Sequence, residues 1–267
     1  MTQAVLVTGA AGMLGRALLA ALAARRSPLQ RVVATDVRAV APAERHDGIV
    51  YAVHDVRAPG LDALLLHHRI HTVVHLASIV TPGPHDDAAV AYAVDVEGTG
   101  NVLDACVASG VKRLVVSSSG AAYGYHADNP PWLSEDMPLR GNDQFAYARH
   151  KRLVEEMLAQ ARHEQPQLEQ VVFRIATILG AGLHNQITAL FERTRPLLIR
   201  GSDSPFVFVW DGDVVEALLR AIDGGPPGIF NLAGDGALTL PEIAARLGKR
   251  CRVLPAWLLT TALALGK

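Results

Sequence analysis

A glycine-rich turn near the N-terminus constrains the fold of this chain more than any other feature. Residues Thr8 to Gly15 read T-G-A-A-G-M-L-G; they follow the apolar run Ala4–Thr8 and lead into a helical pattern over Leu14–Arg25. Glycines at three-residue intervals permit a tight strand-to-helix turn and a close approach of the backbone, and the helix start adds free N–H groups. The turn therefore predicts a site for the pyrophosphate of a dinucleotide.

An acidic residue at the end of the next apolar run narrows the choice of dinucleotide. Asp36 closes the run Arg31–Asp36 and lies 21 positions after Gly15. A carboxylate at this place accepts hydrogen bonds from the adenosine ribose and repels a 2′-phosphate. The sequence therefore predicts NAD as the cofactor, while Arg38 keeps NADP open as the alternative.

Short β-branched runs alternate with longer helical patterns along the first two thirds of the chain. Continuous runs of this kind are typical of strands buried on both faces, and their alternation with helices indicates a parallel sheet. The predicted fold class is α/β, a doubly wound parallel sheet of the Rossmann type. The predicted strands are Ala4–Thr8, Arg31–Asp36, Val50–Asp55, Thr72–Ala77, Arg113–Ser118 and Val171–Arg174, and the helices are Leu14–Arg25, Leu61–His68, Ala88–Ser109 and Phe145–Arg162.

The character of the sequence changes after Arg174, where shorter elements are separated by proline and glycine. We predict an NAD-binding domain over residues 1–180. Residues 181–267 are expected to form a small C-terminal α/β substrate subdomain, interleaved with the first. Because the chain stops directly after an apolar segment, we also expect that a C-terminal tail is missing.

Composition excludes several classes of function. Lysine plus arginine number 25 against 26 acidic residues, so no basic surface for nucleic acid is indicated. Two cysteines, Cys106 and Cys251, are too few for a disulfide framework or a zinc cluster, and no metal site is predicted. The longest apolar stretch, residues 256–266, is too short to span a bilayer, and no secretory leader is recognisable. These features predict a cytoplasmic protein that acts on a small molecule and not on a membrane.

A tyrosine and a lysine supply candidate chemistry. Tyr147 and Lys151 are four residues apart in a predicted helix, so both side chains point to one face. A cation beside a phenol favours the phenolate and thereby suits the phenol for general base catalysis. Three serines, Ser117 to Ser119, end a predicted strand at the sheet edge where ligands bind in such folds.

Taken together, these motifs resemble an extended short-chain dehydrogenase/reductase of the NAD-dependent epimerase/dehydratase family. The resemblance covers most of the chain. It rests on Thr8 to Gly15, Asp36, His54-Asp55-Val56, His75-Leu76-Ala77, Gly98 to Leu103, Ser117 to Ser119 with Tyr123-Gly124, Tyr147 to Lys151, Arg174, Phe208 to Leu218 and Phe230-Asn231.

The resemblance implies roles for individual residues. Tyr147 would be the acid/base, Lys151 would hold the nicotinamide ribose, and Ser119 would orient the substrate hydroxyl or ketone. The implied cofactor-binding residues are Gly9, Ala11, Gly12, Met13, Leu14, Gly15, Asp36, Asp55 and Val56 beside the adenine, Leu76, Ala77 at the nicotinamide end, Ser117, Tyr147 and Lys151. Ser119, Thr177 and Asn185 would contact substrate. The helices Ala88–Ser109 and Phe145–Arg162 would form the interface of a homodimer.

Departures from the family pattern bear on the reaction. Sugar 4,6-dehydratases carry an Asp-Glu pair where this chain has Gly120 and Ala121, so the resemblance argues against a dehydratase. Thr177 stands where related epimerases usually have asparagine, and Phe206 where they place an arginine that clamps pyrophosphate. A phenyl ring cannot replace a bidentate guanidinium for this purpose, but Arg193, Arg195 or Arg200 could substitute from a neighbouring position. Asp95 stands where the family usually has asparagine.

Three functions follow from this pattern. The first is an NAD-dependent oxidoreductase that acts on a secondary alcohol or ketone as a nucleotide-sugar 4-epimerase. The second is an NAD(P)-dependent dehydrogenase or reductase of a small non-nucleotide alcohol or ketone. The third is a non-catalytic regulatory protein that binds NAD, although such proteins typically lose the tyrosine or lysine that this chain retains.

Overall fold

The computed structural model describes residues 3–25, 29, 31–80, 88–181, 183 and 186–258. The chain divides into two compact units. The first comprises Met1–Ile175 and Gly212–Leu232, and the second Ala176–Asp211 and Ala233–Lys267. The chain thus leaves the first unit after residue 175, returns to it at residue 212, and leaves it again after residue 232.

The first unit is built on a seven-stranded parallel sheet. With strands numbered in chain order, these are β1 (Ala4–Thr8), β2 (Arg31–Asp36), β3 (Ile49–Val53), β4 (Thr72–His75), β5 (Arg113–Ser119), β6 (Glu169–Ile175) and β11 (Gly228–Leu232). Their spatial order is β11-β6-β5-β4-β1-β2-β3, and every neighbouring pair is parallel. The order reverses between β1 and β4, which makes the carboxyl ends of these two strands the switch point where such sheets bind ligands. The predicted fold class is confirmed.

Helices flank this sheet. In chain order they are α1 (Met13–Ala23), α2 (Leu61–His67), α3 (Ala88–Tyr92), α4 (Gly98–Ala108), α5 (Ala146–Glu164) and, after one helix of the second unit, α7 (Asp211–Ile222). Short 3-10 turns cover Pro42–Glu44 and Gly120–Tyr123. Alternating residues of the strands are buried on both sides of the sheet, Leu6 with Val33 on one side and Val5 with Val7 on the other.

Two predicted elements differ from the structure. The strand expected over Thr72–Ala77 ends at His75, because the amides of Leu76 and Ala77 donate hydrogen bonds to the Thr8 hydroxyl instead of joining the sheet ladder. The single helix expected over Ala88–Ser109 is divided by a wider π-helical turn, Ala93–Glu97, between α3 and α4. That turn carries the buried Asp95.

The second unit contains short elements only. They are β7 (Thr177–Leu179), α6 (Gln186–Glu192), β8 (Leu197–Ile199), β9 (Pro205–Phe206), β10 (Phe208–Trp210), β12 (Leu238–Thr239), α8 (Leu240–Arg246) and β13 (Arg252–Leu254). They pair as β7 with β10 and β8 with β13, both parallel, and β9 with β12, antiparallel. Phe206 stacks on Phe208 with ring centroids 6.2 Å apart, and Phe191 meets both rings edge-on. Within the described residues, helices long and apolar enough to cross a membrane are absent.

Candidate active site

The glycine turn is held in a form that leaves no room for side chains. Gly9 has a left-handed backbone, φ +68°, and a Cβ there would lie 2.6 Å from the amide nitrogen of Ala77. A Cβ on Gly15 would lie 2.2 Å from the carbonyl oxygen of Gly9. The Gly12 amide donates to the same carbonyl at 3.0 Å, and α1 begins one residue later. The turn therefore offers backbone and a helix start, which fits a pyrophosphate.

Asp36 is joined directly to this turn. Its Oδ2 accepts a hydrogen bond from the Ala11 amide at 2.9 Å, and its Oδ1 accepts one from the Arg38 amide at 3.0 Å. The Arg38 guanidinium lies 3.4 Å from the same oxygen and is largely exposed. A carboxylate fixed at the end of β2 beside the turn suits the ribose hydroxyls of NAD and opposes a 2′-phosphate.

The residues assigned to the adenine, Asp55 and Val56, follow β3. The Asp55 carboxylate pairs with the Arg57 guanidinium, and the hydrogen bonds and charge of Arg57 lower the pKa of Asp55. The Val56 side chain is buried in the core, and its carbonyl oxygen accepts a hydrogen bond from the Asn101 amide at 3.1 Å. Their contact with adenine stays a prediction.

A chain of buried polar groups runs beneath the switch point. The Thr8 hydroxyl lies 2.8 Å from His75 Nδ1, His75 Nε2 lies 3.0 Å from the Thr99 hydroxyl, and that hydroxyl donates to the Asp95 carbonyl at 2.6 Å. Burial, helped by the charge of Lys151, lowers the pKa of His75 to about 3. His75 is therefore a neutral ring that accepts from Thr8 at Nδ1 and donates to Thr99 from Nε2.

The serine, tyrosine and lysine meet at the carboxyl end of β5. Lys151 Nζ donates to the carbonyl oxygen of Ser117 at 2.9 Å and lies 5.6 Å from the centre of the Tyr147 ring. The lysine is buried, and the tyrosine is half-buried. The Ser119 hydroxyl stands at the end of the strand and accepts a hydrogen bond from the Ala121 amide at 3.2 Å. The sequence-predicted catalytic residues are thus brought together within the first unit.

A buried ion pair supports this edge of the sheet from below. The Glu155 carboxylate of α5 binds the Arg174 guanidinium of β6 through contacts of 2.7 and 2.9 Å, and both side chains are almost fully buried. Glu155 also accepts a hydrogen bond from Ser118, and Arg174 donates to the Tyr123 hydroxyl at 2.8 Å. The Tyr123 hydroxyl donates in turn to Asn231 at 2.8 Å. These contacts fix the strand end and the 3-10 turn on either side of Ser119.

The predicted substrate residues do not all lie in the same unit. Ser119 lies in the first unit, whereas Thr177 begins β7 of the second unit and donates its amide to the Val207 carbonyl. Asn185 lies outside the described residues. Phe206 is part of the aromatic cluster of the second unit.

Two functional candidates were not predicted, Asp95 and His150, which form a buried pair beside Lys151. Their signals in the sequence were the aspartate in an asparagine position and the histidine inside the Tyr-x-x-x-Lys motif. Neither residue type indicates its partner 55 positions away.

Comparison with known proteins places these features in a family. The model of the NAD-dependent epimerase/dehydratase family matches residues 5–233. The chain is 26% identical to the UDP-glucose 4-epimerase of Thermus thermophilus, solved in complex with NAD, with a TM-score of 0.75 over 95% of this chain and 86% of that one. It is 30% identical to MoeE5, solved with UDP-glucose and NAD, with a TM-score of 0.72 over 94% and 84%.

Curated sequences give a similar result. The chain is 27% identical over 253 residues to an uncharacterised protein of Mycobacterium tuberculosis, covering 92% of this chain and 66% of that protein. It is 28% identical over 224 residues to the UDP-glucose 4-epimerase of Yersinia pestis, covering 72% and 64%. The chain thus spans just under two thirds of the length of these relatives.

Proposed function

The chain belongs to the NAD-dependent epimerase/dehydratase family, and we propose that it is a nucleotide-sugar 4-epimerase that works by reversible hydride transfer to bound NAD. The observation that carries this proposal is the placement of Tyr147 and Lys151 at the carboxyl end of β5, the strand that ends at Ser119, on the same edge of the sheet as the turn that fits pyrophosphate. The similarity to UDP-glucose 4-epimerases supports it.

The residues of this chain perform the proton transfers. The Tyr147 phenolate takes the proton of a substrate secondary alcohol, and the hydroxyl so formed returns it to the ketone oxygen in the second half of the cycle. Lys151 holds positive charge beside that phenol and, anchored on the Ser117 carbonyl, holds the nicotinamide ribose. Ser119 donates to the substrate oxygen. When bound at the glycine turn, Asp36 and Lys151, NAD would supply the hydride acceptor for the carbinol carbon and the hydride donor for either face of the ketone.

A second candidate function is a dehydrogenase or reductase of a small alcohol or ketone. The specific observation in its favour is Phe206, which lies in the aromatic cluster with Phe191 and Phe208 where related epimerases place a phosphate-binding arginine. An aromatic cluster favours an apolar ligand group over a pyrophosphate. Such a dehydrogenase or reductase would use the same hydride chemistry as the epimerase on a different substrate.

A homodimer in the cytoplasm is part of the proposal. Helices α4 and α5 carry a surface groove of about 380 Å³, whose lining combines the apolar Leu103, Val107, Ala108, Met157 and Ala161 with the polar Asp104, Gln160, Glu164 and Gln165. Apolar side chains from two neighbouring helices suit packing against the same helices of a second copy. Both cysteines are free thiols, which is compatible with a reducing compartment.

Thermal melting with NAD, with and without UDP, tests the ligand class. A ligand at 100 times its dissociation constant adds about 2.7 kcal/mol, which is a shift of a few degrees. A shift with UDP supports the nucleotide-sugar epimerase. A shift with NAD alone favours the dehydrogenase or reductase. The absence of a shift with NAD would contradict both.

The Tyr147→Phe variant tests the proposed chemistry. Removing the hydroxyl should lower kcat at least about a hundredfold, because the general acid/base is lost, while the NAD-induced melting shift persists. Tyr125→Phe is the matched control, since it removes an exposed phenol from the same group of aromatic rings. Unchanged turnover of Tyr147→Phe would remove this residue from the mechanism.

A further inference from the structure

A buried acid–base pair lies next to the catalytic lysine and has no part in the mechanism above. Asp95, in the π-helical turn Ala93–Glu97, and His150 of α5 are joined through Oδ2 and Nδ1 at 3.0 Å, and each side chain is 1% exposed. His150 directly precedes Lys151 and stands three residues after Tyr147. The Tyr92 ring packs edge-on against His150 at 5.5 Å.

The other oxygen of Asp95 holds the segment that follows β4. Asp95 Oδ1 accepts hydrogen bonds from the Ser78 hydroxyl at 2.9 Å and from the Ile79 amide at 2.8 Å. With His150 on Oδ2, the carboxylate takes part in three hydrogen bonds. One side chain thereby ties residues 78–79 to the helix that carries Tyr147 and Lys151.

That segment lies where the cofactor must pass. In the sheet, β4 stands between β1, which leads into the glycine turn, and β5, which ends at Ser119. A dinucleotide with its pyrophosphate at the turn and its reactive ring at Ser119 therefore crosses the carboxyl end of β4. The Ala77 amide already lies so close to Gly9 that a Cβ on Gly9 would be 2.6 Å from the Ala77 nitrogen.

The buried ring of His150 determines which proton the pair carries. Its Nε2 is buried and has no hydrogen-bond partner within the part of the chain that the structure describes. A hydrogen on that nitrogen would be a buried donor without an acceptor. Leaving the nitrogen as an unpaired acceptor costs less free energy. The geometry therefore favours the hydrogen on Nδ1, from which the ring donates to Asp95 Oδ2.

We propose that Asp95 and His150 are positioning residues for the nicotinamide half of the cofactor, because they hold residues 78–79 in a fixed place relative to Tyr147 and Lys151. The inference rests on the proposed function, since it requires NAD at this edge of the sheet. The adenosine half of NAD would be bound by the glycine turn and Asp36. Its binding should therefore not depend on Asp95 or His150.

The substitutions that test the pair follow from its hydrogen bonds. Asp95→Asn preserves the shape of the side chain, but its NH₂ group would face the N–H at His150 Nδ1. These two donors would repel each other unless the ring moved its hydrogen to the unpartnered Nε2. His150→Leu removes the hydrogen bond altogether. His150→Asn can donate from the position of Nδ1 and should restore function. Asp62→Asn, an exposed carboxylate of α2, is the matched control.

The experiment measures binding of NAD and of ADP-ribose by isothermal titration calorimetry. ADP-ribose keeps the adenosine and pyrophosphate and lacks nicotinamide. For Asp95→Asn and His150→Leu we expect NAD affinity to fall about tenfold, while ADP-ribose affinity stays within twofold and thereby shows that the fold is intact. His150→Asn and Asp62→Asn should stay within threefold of wild type for both ligands.

Each other outcome overturns the inference in a recognisable way. Equal losses for both ligands would mean that the pair only stabilises the fold. Unchanged NAD affinity in Asp95→Asn and His150→Leu would mean that the pair does not position nicotinamide. A His150→Asn variant as weak as His150→Leu would remove the hydrogen bond as the cause. Failure of the wild-type protein to bind either ligand would instead refute the proposed function on which the inference rests.

Discussion

Protonation of the buried His75 in the unfolded chain should contribute to acid destabilisation of the first unit. His75 is buried beneath the switch point, where burial and the charge of Lys151 lower its pKa to about 3. In the unfolded chain the same ring titrates near pH 6.5. Between these values the unfolded state binds a proton that the folded state refuses, so stability falls as the pH decreases below about 6.5.

The size of this effect follows from the two pKa values. Relative to pH 8, the unfolded state of His75 is favoured by about 0.8 kcal/mol at pH 6 and about 2 kcal/mol at pH 5, and the penalty stops growing near pH 3. His75→Gln removes the titration and retains an amide that can donate to Thr99. Between pH 8 and pH 5, the free energy of unfolding of the variant should therefore fall by about 2 kcal/mol less than that of wild type. This difference does not depend on how stable the variant is at pH 8.

Urea unfolding followed by circular dichroism at the two pH values measures this difference. Thr99→Val serves as the control, because it removes the hydrogen bond to His75 Nε2 and leaves the ring free to titrate. It should be less stable than wild type at both pH values and keep the wild-type difference between them. Equal pH differences in wild type and His75→Gln would refute the argument.

Three further substitutions test the candidate site. Gly15→Ala should abolish the NAD-induced melting shift, because its Cβ would lie 2.2 Å from a backbone oxygen of the turn; an undiminished shift would show that the turn does not hold NAD. Glu155→Gln should cost about 3–5 kcal/mol in urea unfolding, since it leaves the buried Arg174 without its counter-charge, and a loss below about 1 kcal/mol would contradict this account. Asp36→Ala should weaken NAD binding about tenfold in calorimetry without weakening NADP, because it removes the carboxylate that would bind the ribose hydroxyls of NAD and repel a 2′-phosphate; a parallel loss for both cofactors would indicate damage to the turn through the lost Ala11 hydrogen bond.

The sequence was sufficient for the features whose signals are local. Six of the seven sheet strands follow from short β-branched runs. The glycine turn and the Tyr147–Lys151 spacing are also contained in a few consecutive residues, and the structure brings them to one edge of the sheet. Helix ends differ by only a few residues, with the exception of the predicted helix Ala88–Ser109.

That exception arises from contacts between residues that are distant in the sequence. The apolar pattern of residues 88–109 is continuous, but Asp95 is buried there against His150 and the segment after β4, and the helix widens to a π turn at this point. The partnership of Glu155 with Arg174, and the return of α7 and β11 to the first unit, likewise join residues far apart in sequence. Hydrophobic periodicity and turn chemistry act over a few residues and can be recognised in the sequence. The pairing of buried polar groups depends on which residues the completed sheet brings within 3 Å, because only there does burial make each of them require a partner.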